Sequence, residues 1–190
     1  MIENSLELVY KIILVVILSL IYYKFKMIKY MQISIGIFLA LAVSRFIPHP
    51  PNFTSLIALS FYIPVLLGSR FLIVLLFSFV ITDLVIGFHS TMFFTWGSVI
   101  LISAITRYFN KNILMRLSGA LVGAVIFYVI TNFGVWLIGG YGYTFQGFVE
   151  CYTLAIPFLG NNLISTLIFS IVIEGIISLK LVKDKLQKFI

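Results

Sequence analysis

Charge is what this chain has least of. Only 10% of its 190 residues are Asp, Glu, Lys or Arg, against about 25% in soluble domains. A soluble fold of this length could not cover its own surface with so few charges. Acidic residues are the scarcer kind, 6 against 13 Lys and Arg. Cys151 is the single cysteine, which excludes an intrachain disulfide and any CxxC metal or redox pattern. No Gly-x-Ser-x-Gly, His-Glu-x-x-His or Walker sequence occurs, so nothing points to an enzyme or to a cofactor. Any ATP hydrolysis that powers the protein must come from another chain. The strict alternation of a membrane β-barrel is also missing, since the run Phe71 to Val80 is apolar throughout apart from Ser78.

What is present is apolar. Hydrophobic residues make up 62% of the chain and mean hydropathy is +1.16. Apolar segments lie at 7–23, 32–47, 54–68, 71–88, 93–109, 114–138 and 161–180. A transmembrane helix needs about 20 such residues, with a range of about 17–25. These segments predict an all-α integral membrane protein in the lipid bilayer. An N-terminal transmembrane helix with a basic cytoplasmic linker is expected over 1–30, and a six-helix membrane domain with a basic end over 31–190. The first helix is read as uncleaved, because Glu3, Glu7 and Lys11 precede it and no small-residue cleavage site follows. Glu7 and Lys11, four apart, can pair on one helix face. Pro64 predicts a kink in the short 54–68 segment.

The net charge of +7 needs no nucleic-acid partner, because basic residues collect in cytoplasmic loops and set topology. Lys24, Lys26 and Lys29, then Arg70, then Arg107, Lys111 and Arg116, then Lys180, Lys183, Lys185 and Lys188 account for eleven of the 13 cations. Seven spans place all of them on one side. The expected topology is therefore a multi-pass protein of the plasma (inner) membrane, with the N-terminus outside and the C-terminus cytoplasmic.

The unusual polar and aromatic residues gather at the opposite face. They comprise the turn Pro48 to Thr54, the stretch His89-Ser90-Thr91, and the segment Gly139 to Asn161 with Glu150, which is apolar enough to fold back over the bundle. Asp83 lies inside its helix, where a carboxylate costs about 2.5–3.5 kcal/mol on insertion scales. It is either a ligand contact or the partner of Arg45 at matching depth. His49 and His89 with Asp83 suggest a metal site; the plainer reading is interfacial histidines bonded to backbone. Asn52-Phe53-Thr54 spells a glycosylation sequon, but in too short a turn to be used. Tyr128, Asn132 and Trp136 follow one another at steps of four and share a helix face, while Trp96 and Trp136 each read singly as belt aromatics. Asn162, Thr166, Ser170 and Glu174 also step by four. Each step drifts about 40°, so only neighbours in that row are expected to share a face. Asn162 and Thr166 can then reach a cavity, and Glu174 meets a basic end or a partner. Gly36, Ala40 and Ser44, and later Gly119 and Gly123, let helices approach closely.

The stretches His49-Pro50-Pro51-Asn52-Phe53-Thr54, Asp83 with Gly87-Phe88-His89, Trp96-Gly97-Ser98, Thr131 to Trp136, Cys151-Tyr152 and Pro157-Phe158 together resemble an uncharacterised bacterial membrane family. Its members are described as candidate transport proteins. In layout it is similar to the S components of energy-coupling factor vitamin transporters. The resemblance covers about residues 31 to 180. It implies a six-helix S-component-like core that binds a micronutrient from the outer side. It also implies docking on a membrane coupling protein with ATPase subunits, through small residues at the positions of Gly36, Ala40 and Ser44; an alanine-rich version is the usual pattern there.

The reading is thus a membrane substrate-binding transport protein for a vitamin or similar small nutrient. Its expected substrate contacts are Arg45, His49, Asn52, Thr54, Asp83, His89, Trp96, Asn132, Trp136, Glu150 and Asn162. The alternatives are a transition-metal permease built on His49, Asp83 and His89, or a non-transporting scaffold or accessory subunit.

Overall fold

A computed structural model describes residues 2–179, and every regular element in them is a helix. The order is α1 (Ile2–Phe46), α2 (Leu56–Leu67), α3 (Phe71–Ile86), α4 (Met92–Ile105) with a 3₁₀ turn at Thr106–Tyr108, α5 (Ile113–Leu137), α6 (Phe145–Leu154) and α7 (Ile156–Ser178). The chain divides into two compact units, residues 1–36 and 37–190. The basic cluster from Lys180 to Lys188 and the Glu7–Lys11 side-chain pair lie outside what is described.

Two apolar segments expected as separate helices are one. α1 continues without a break through Lys24, Lys26 and Lys29, where the charges suggested a linker. The reason is local. The stretch Lys24 to Ile35 holds no glycine, proline, asparagine or aspartate, and lysine, methionine and glutamine are good helix formers. Charge marks a membrane boundary but does not break a helix. A second difference lies in the Gly139 to Asn161 segment, which contains α6 and the start of α7. Thr144 caps α6, its Oγ1 accepting the Gly147 N–H at 3.0 Å. Pro157 occupies the first turn of α7, where a missing N–H costs nothing.

In the second unit α2 lies at the centre. It packs against α3, α4, α5 and α7, while α5 also packs against α4, α6 and α7. Phe61 and Tyr62 of α2 are essentially fully buried. Gly119 and Gly123 turn out to serve this packing. A Cβ on Gly119 would collide with Phe109 and Phe61, and one on Gly123 would press on Ile102. Asn112 starts α5, its Oδ1 accepting the Met115 N–H at 2.9 Å.

Pro64 sits inside α2 without ending it at once; the helix runs on to Leu67. Proline lacks the N–H that would bond Ser60 O. A neighbouring helix supplies the replacement: Ser103 Oγ of α4 lies 2.9 Å from Ser60 O, and 2.8 Å from its own Val99 O. In an apolar environment a freed carbonyl of this kind is commonly satisfied by a serine or threonine of another helix. Ser103→Ala is therefore expected to cost about 1–3 kcal/mol, read as a lower Tm in detergent. Adding Pro64→Ala, which returns an N–H to Ser60 O, should recover most of the loss. An equal loss with and without Pro64 would separate the two residues.

Among the described residues, three helices are long and apolar enough to cross a membrane: Ile17–Phe46, Ile113–Leu137 and Ile156–Ser178. The apolar helices Leu56–Leu67, Phe71–Ile86 and Met92–Tyr108 are shorter. The distribution of polarity points the same way as the lengths. The buried residues of α7 are Asn162, Ser165, Thr166, Ser170 and Glu174, while Ile164, Ile168, Ile171, Val172 and Ile176 are 45–55% exposed. Such a helix is polar inside and apolar outside, the reverse of a helix in a water-soluble fold. It is compatible with a membrane protein, whose outward faces meet lipid.

Candidate functional site

A cavity of about 590 Å³ opens at one end of the second unit. Its wall is assembled from the C-terminal end of α1, the turn after it, the first residues of α2, the last of α3, the first of α4, the last of α5, and α6 and α7. Short connections make successive helices run in alternate directions, so these stretches meet at one end of the bundle. Seven of the residues singled out from the sequence line it: Arg45, His49, Asn52, Thr54, His89, Asn132 and Asn162.

The turn that holds three of them is set by its own sequence. Pro48 ends α1, because the residue before a proline is disfavoured in the helical region. Phe53 N–H then donates to Pro50 O at 3.0 Å, and Asn52 adopts φ +63°. Proline in the second place and asparagine with positive φ in the third make a type II turn. Asn161 of α7 donates to Pro51 O at 2.9 Å and ties the turn down. His49 Nδ1–H donates to Pro50 O at 2.7 Å, and His89 Nδ1 lies 3.0 Å from Thr91 Oγ1. Both histidines are exposed at the rim.

Asp83 does not reach the cavity wall; it lies behind it, 1% exposed. Its Oδ2 accepts Trp96 Nε1–H at 2.8 Å, and its Oδ1 lies 2.7 Å from Arg45 NH2. That second contact is off the N–H direction and acts as an ion pair rather than an aligned hydrogen bond. Arg45 NH1 also donates to Thr82 Oγ1, and the guanidinium stacks on Phe79 with its carbon 4.6 Å from the ring centre. Asp83 and Trp96 therefore hold Arg45 in the wall. Among the described residues Arg45 is the only Lys, Arg, Asp or Glu that lines the cavity. Its charge is already met.

Of the three amides that line the cavity, Asn52 comes from the turn, and Asn132 and Asn162 come from helices. Asn132 Nδ2 donates to Tyr128 O at 2.8 Å one turn back on α5, and its Oδ1 has no partner among the described residues. Asn162 is 2% exposed, yet its side-chain amide makes no hydrogen bond within the described residues. Its amide atoms are not among the fully buried unpaired ones, so they open onto the cavity and can take a partner there. α6 closes the side. Tyr128 OH donates to Tyr152 O, Tyr152 OH donates to Val129 O at 2.7 Å, and Cys151 Sγ lies 3.4 Å from Asn132 O. The loop into α6 turns at Gly139 and Gly142, both with positive φ, which brings Tyr141 to the wall.

Other expected residues stand elsewhere. Trp136 leaves the Tyr128–Asn132 face. It lies in a separate groove with Phe133, Tyr143 and Phe148, its Nε1–H donating to Thr144 O at 3.3 Å. Two steps of four drift about 80° around the helix, enough to carry it off the wall. Glu150 is exposed and outside the cavity. Gly36 and Ala40 are exposed, but Ser44 bonds inward, its Oγ 2.7 Å from Ser55 Oγ. His49, Asp83 and His89 form no cluster; no group of three His, Cys, Asp or Glu suited to a metal ion occurs among the described residues. Thr95, Tyr128, Thr131 and Tyr141 line the cavity unforeseen. Nothing in a membrane sequence separates such threonines and tyrosines from packing residues. Only the i, i+4 step from Tyr128 to Asn132 hinted at one of them.

Cys151 offers a probe of the wall. It is 1% exposed, and burial pushes its thiol above the ordinary range. The thiolate is the reactive form, so at neutral pH less of it is present than in a free thiol. Maleimide labelling in native vesicles is expected to be slow and to rise only at more alkaline pH than for an exposed cysteine; unfolding should release it. Fast labelling at neutral pH would show α6 lifted from α5.

At the opposite end a second polar group is buried. Glu174 of α7 accepts Arg116 Nε–H at 2.6 Å and NH2 at 2.7 Å through its two oxygens. Tyr62 OH of α2 donates to Oε1 at 2.9 Å. The basic end expected to meet Glu174 is thus Arg116.

Compared with known proteins, residues 24–188 match a family of unknown function, DUF6580. No curated protein and no solved structure matches the chain.

Proposed function

The chain belongs to DUF6580, a family of unknown function, and we propose that it is a membrane substrate-binding transport protein that takes up a vitamin or similar small nutrient. The observation that carries this reading is the cavity with the unpaired Asn162 amide in its wall. Small-molecule sites are clefts of about 300–1,000 Å³, mostly apolar, with a few convergent polar groups. Here Phe79, Phe127, Val135, Leu154 and Phe158 supply apolar surface, and Asn132, Asn162 and Thr131 supply hydrogen bonds. Because Arg45 is paired with Asp83, the wall favours an uncharged ligand with donors and acceptors over an anion. The resemblance of the sequence to S components is in keeping with the same role. A membrane coupling protein with ATPase subunits is then the proposed energy source, docking beside Gly36 and Ala40. The basic end, with Arg70, Arg107 and Lys111, is proposed to face the cytoplasm of the plasma (inner) membrane, and the cavity the outside. The separate positions of His49, Asp83 and His89 speak against the metal-permease alternative.

The test is native mass spectrometry of the purified protein. A copurified small molecule is expected. Asn162→Ala should weaken its retention about tenfold or more while leaving the protein folded, since each lost hydrogen bond to a desolvated group is worth about 1–3 kcal/mol. A ligand-free protein that binds no member of a panel of vitamins and related heterocycles would favour the scaffold reading.

A further inference from the structure

The interior of α7 goes beyond nutrient binding. Asn162, Thr166, Ser170 and Glu174 are all buried, at 2%, 0%, 1% and 8% exposure. α7 packs against α2, α5 and α6 together, so its interior arc is wide enough to hold the whole row despite the drift. The row spans twelve residue steps, about 18 Å of helix. It starts at the cavity with Asn162 and ends at the Glu174–Arg116–Tyr62 cluster.

Its middle two members behave unlike the other buried hydroxyls. Ser60, Ser78, Thr82, Ser98, Ser103 and Thr106 each donate to a carbonyl three or four residues back. Thr166 Oγ1 and Ser170 Oγ are fully buried; among the described residues Thr166 Oγ1 has no partner, and Ser170 Oγ makes no aligned hydrogen bond but lies within reach of the Tyr62 hydroxyl. The Tyr62 hydroxyl donates to Glu174, which leaves the tyrosine oxygen open to the Ser170 hydroxyl. Buried polar groups with no protein partner are commonly met by buried water, which takes two to four hydrogen bonds. Hydroxyls can both accept and donate, as a relay requires.

We propose that this row is a hydrated proton path joining the cavity to Glu174, so that the protein moves protons as well as its nutrient. Waters seated on the Asn162 amide and on the two hydroxyls pass a proton along. Each hop makes one O–H bond and breaks another. A Glu174 oxygen receives the proton and gives it up at the far end, where Arg116 is 17% exposed. The charged and titratable groups facing Glu174 are Arg116 from α5 and Tyr62 from α2. The bidentate Arg116 contact acts as the gate. Protons rather than metal ions fit the row, since amides and hydroxyls precede a single carboxylate.

The experiment uses the full chain in lipid vesicles loaded with a pH-sensitive dye, with a potassium diffusion potential driving protons inward. Acidification clearly faster than in protein-free vesicles is expected. Thr166→Val with Ser170→Ala should slow it at least tenfold. The same double variant should melt close to wild type, because Thr166 Oγ1 is unpaired and Ser170 Oγ makes no aligned hydrogen bond. Thr166→Ser, which keeps the hydroxyl, should retain the flux. Acidification no faster than in protein-free vesicles would overturn the proposal. So would an unchanged rate in the double variant, or a flux that requires sodium. Ligand retention by the cavity is read separately, so failure of the path and failure of nutrient binding are distinguishable.

Discussion

Asp83→Asn is expected to cost about 3–5 kcal/mol and most of the folded yield. The substitution keeps the shape and an acceptor for Trp96 Nε1–H, but it leaves the Arg45 guanidinium without its counter-charge in a site where Asp83 is 1% exposed. Thr82 and Phe79 O still accept from Arg45, yet neither neutralises it. The loss should appear as a large fall in Tm in detergent. Making Arg45→Gln in the same protein removes the stranded charge, so much of the lost stability should return. If each single variant melts like wild type, the pair is not what holds α1 against α3. Arg45 would then be free for an anionic ligand.

Glu174→Gln should be of similar size. Glu174 receives three hydrogen bonds, two from one guanidinium. Bidentate, charge-assisted pairs are the strong kind, and removing one partner of a buried pair costs about 3–5 kcal/mol. Arg116→Gln alone should cost about as much, because it strands the carboxylate. The double variant should lie well above the sum of the two losses. A double-mutant cycle in thermal unfolding reads the coupling directly; additive losses would mean that the two side chains do not meet in the folded protein.

Some of this was legible before any coordinates. Arg45 and Asp83 could be matched because each is a charge at the same depth of an apolar helix, and an unpaired charge there is too costly to keep. The turn around Pro50 and Asn52 was legible because proline and asparagine restrict the backbone locally. The helical nature of α6 was not, since ten residues of mixed polarity carry little periodicity. The continuity of α1 was hidden by reading lysines as a break. Trp136 was assigned to the Asn132 face because a spacing of eight looks regular, although accumulated drift takes it to another groove.

Composition and hydropathy by themselves determined the class of molecule: helical, poor in charge and apolar in long runs. Those properties are sums over residues and need no geometry. Tertiary structure alone decided which polar residues meet. The row on α7 becomes interior as a whole only because three helices surround it, and Asn162 becomes an unpaired wall residue only because no side chain arrives to bond it. Such facts depend on contacts between residues far apart in the chain, as with Tyr62 and Glu174, 112 positions apart. No local propensity encodes them.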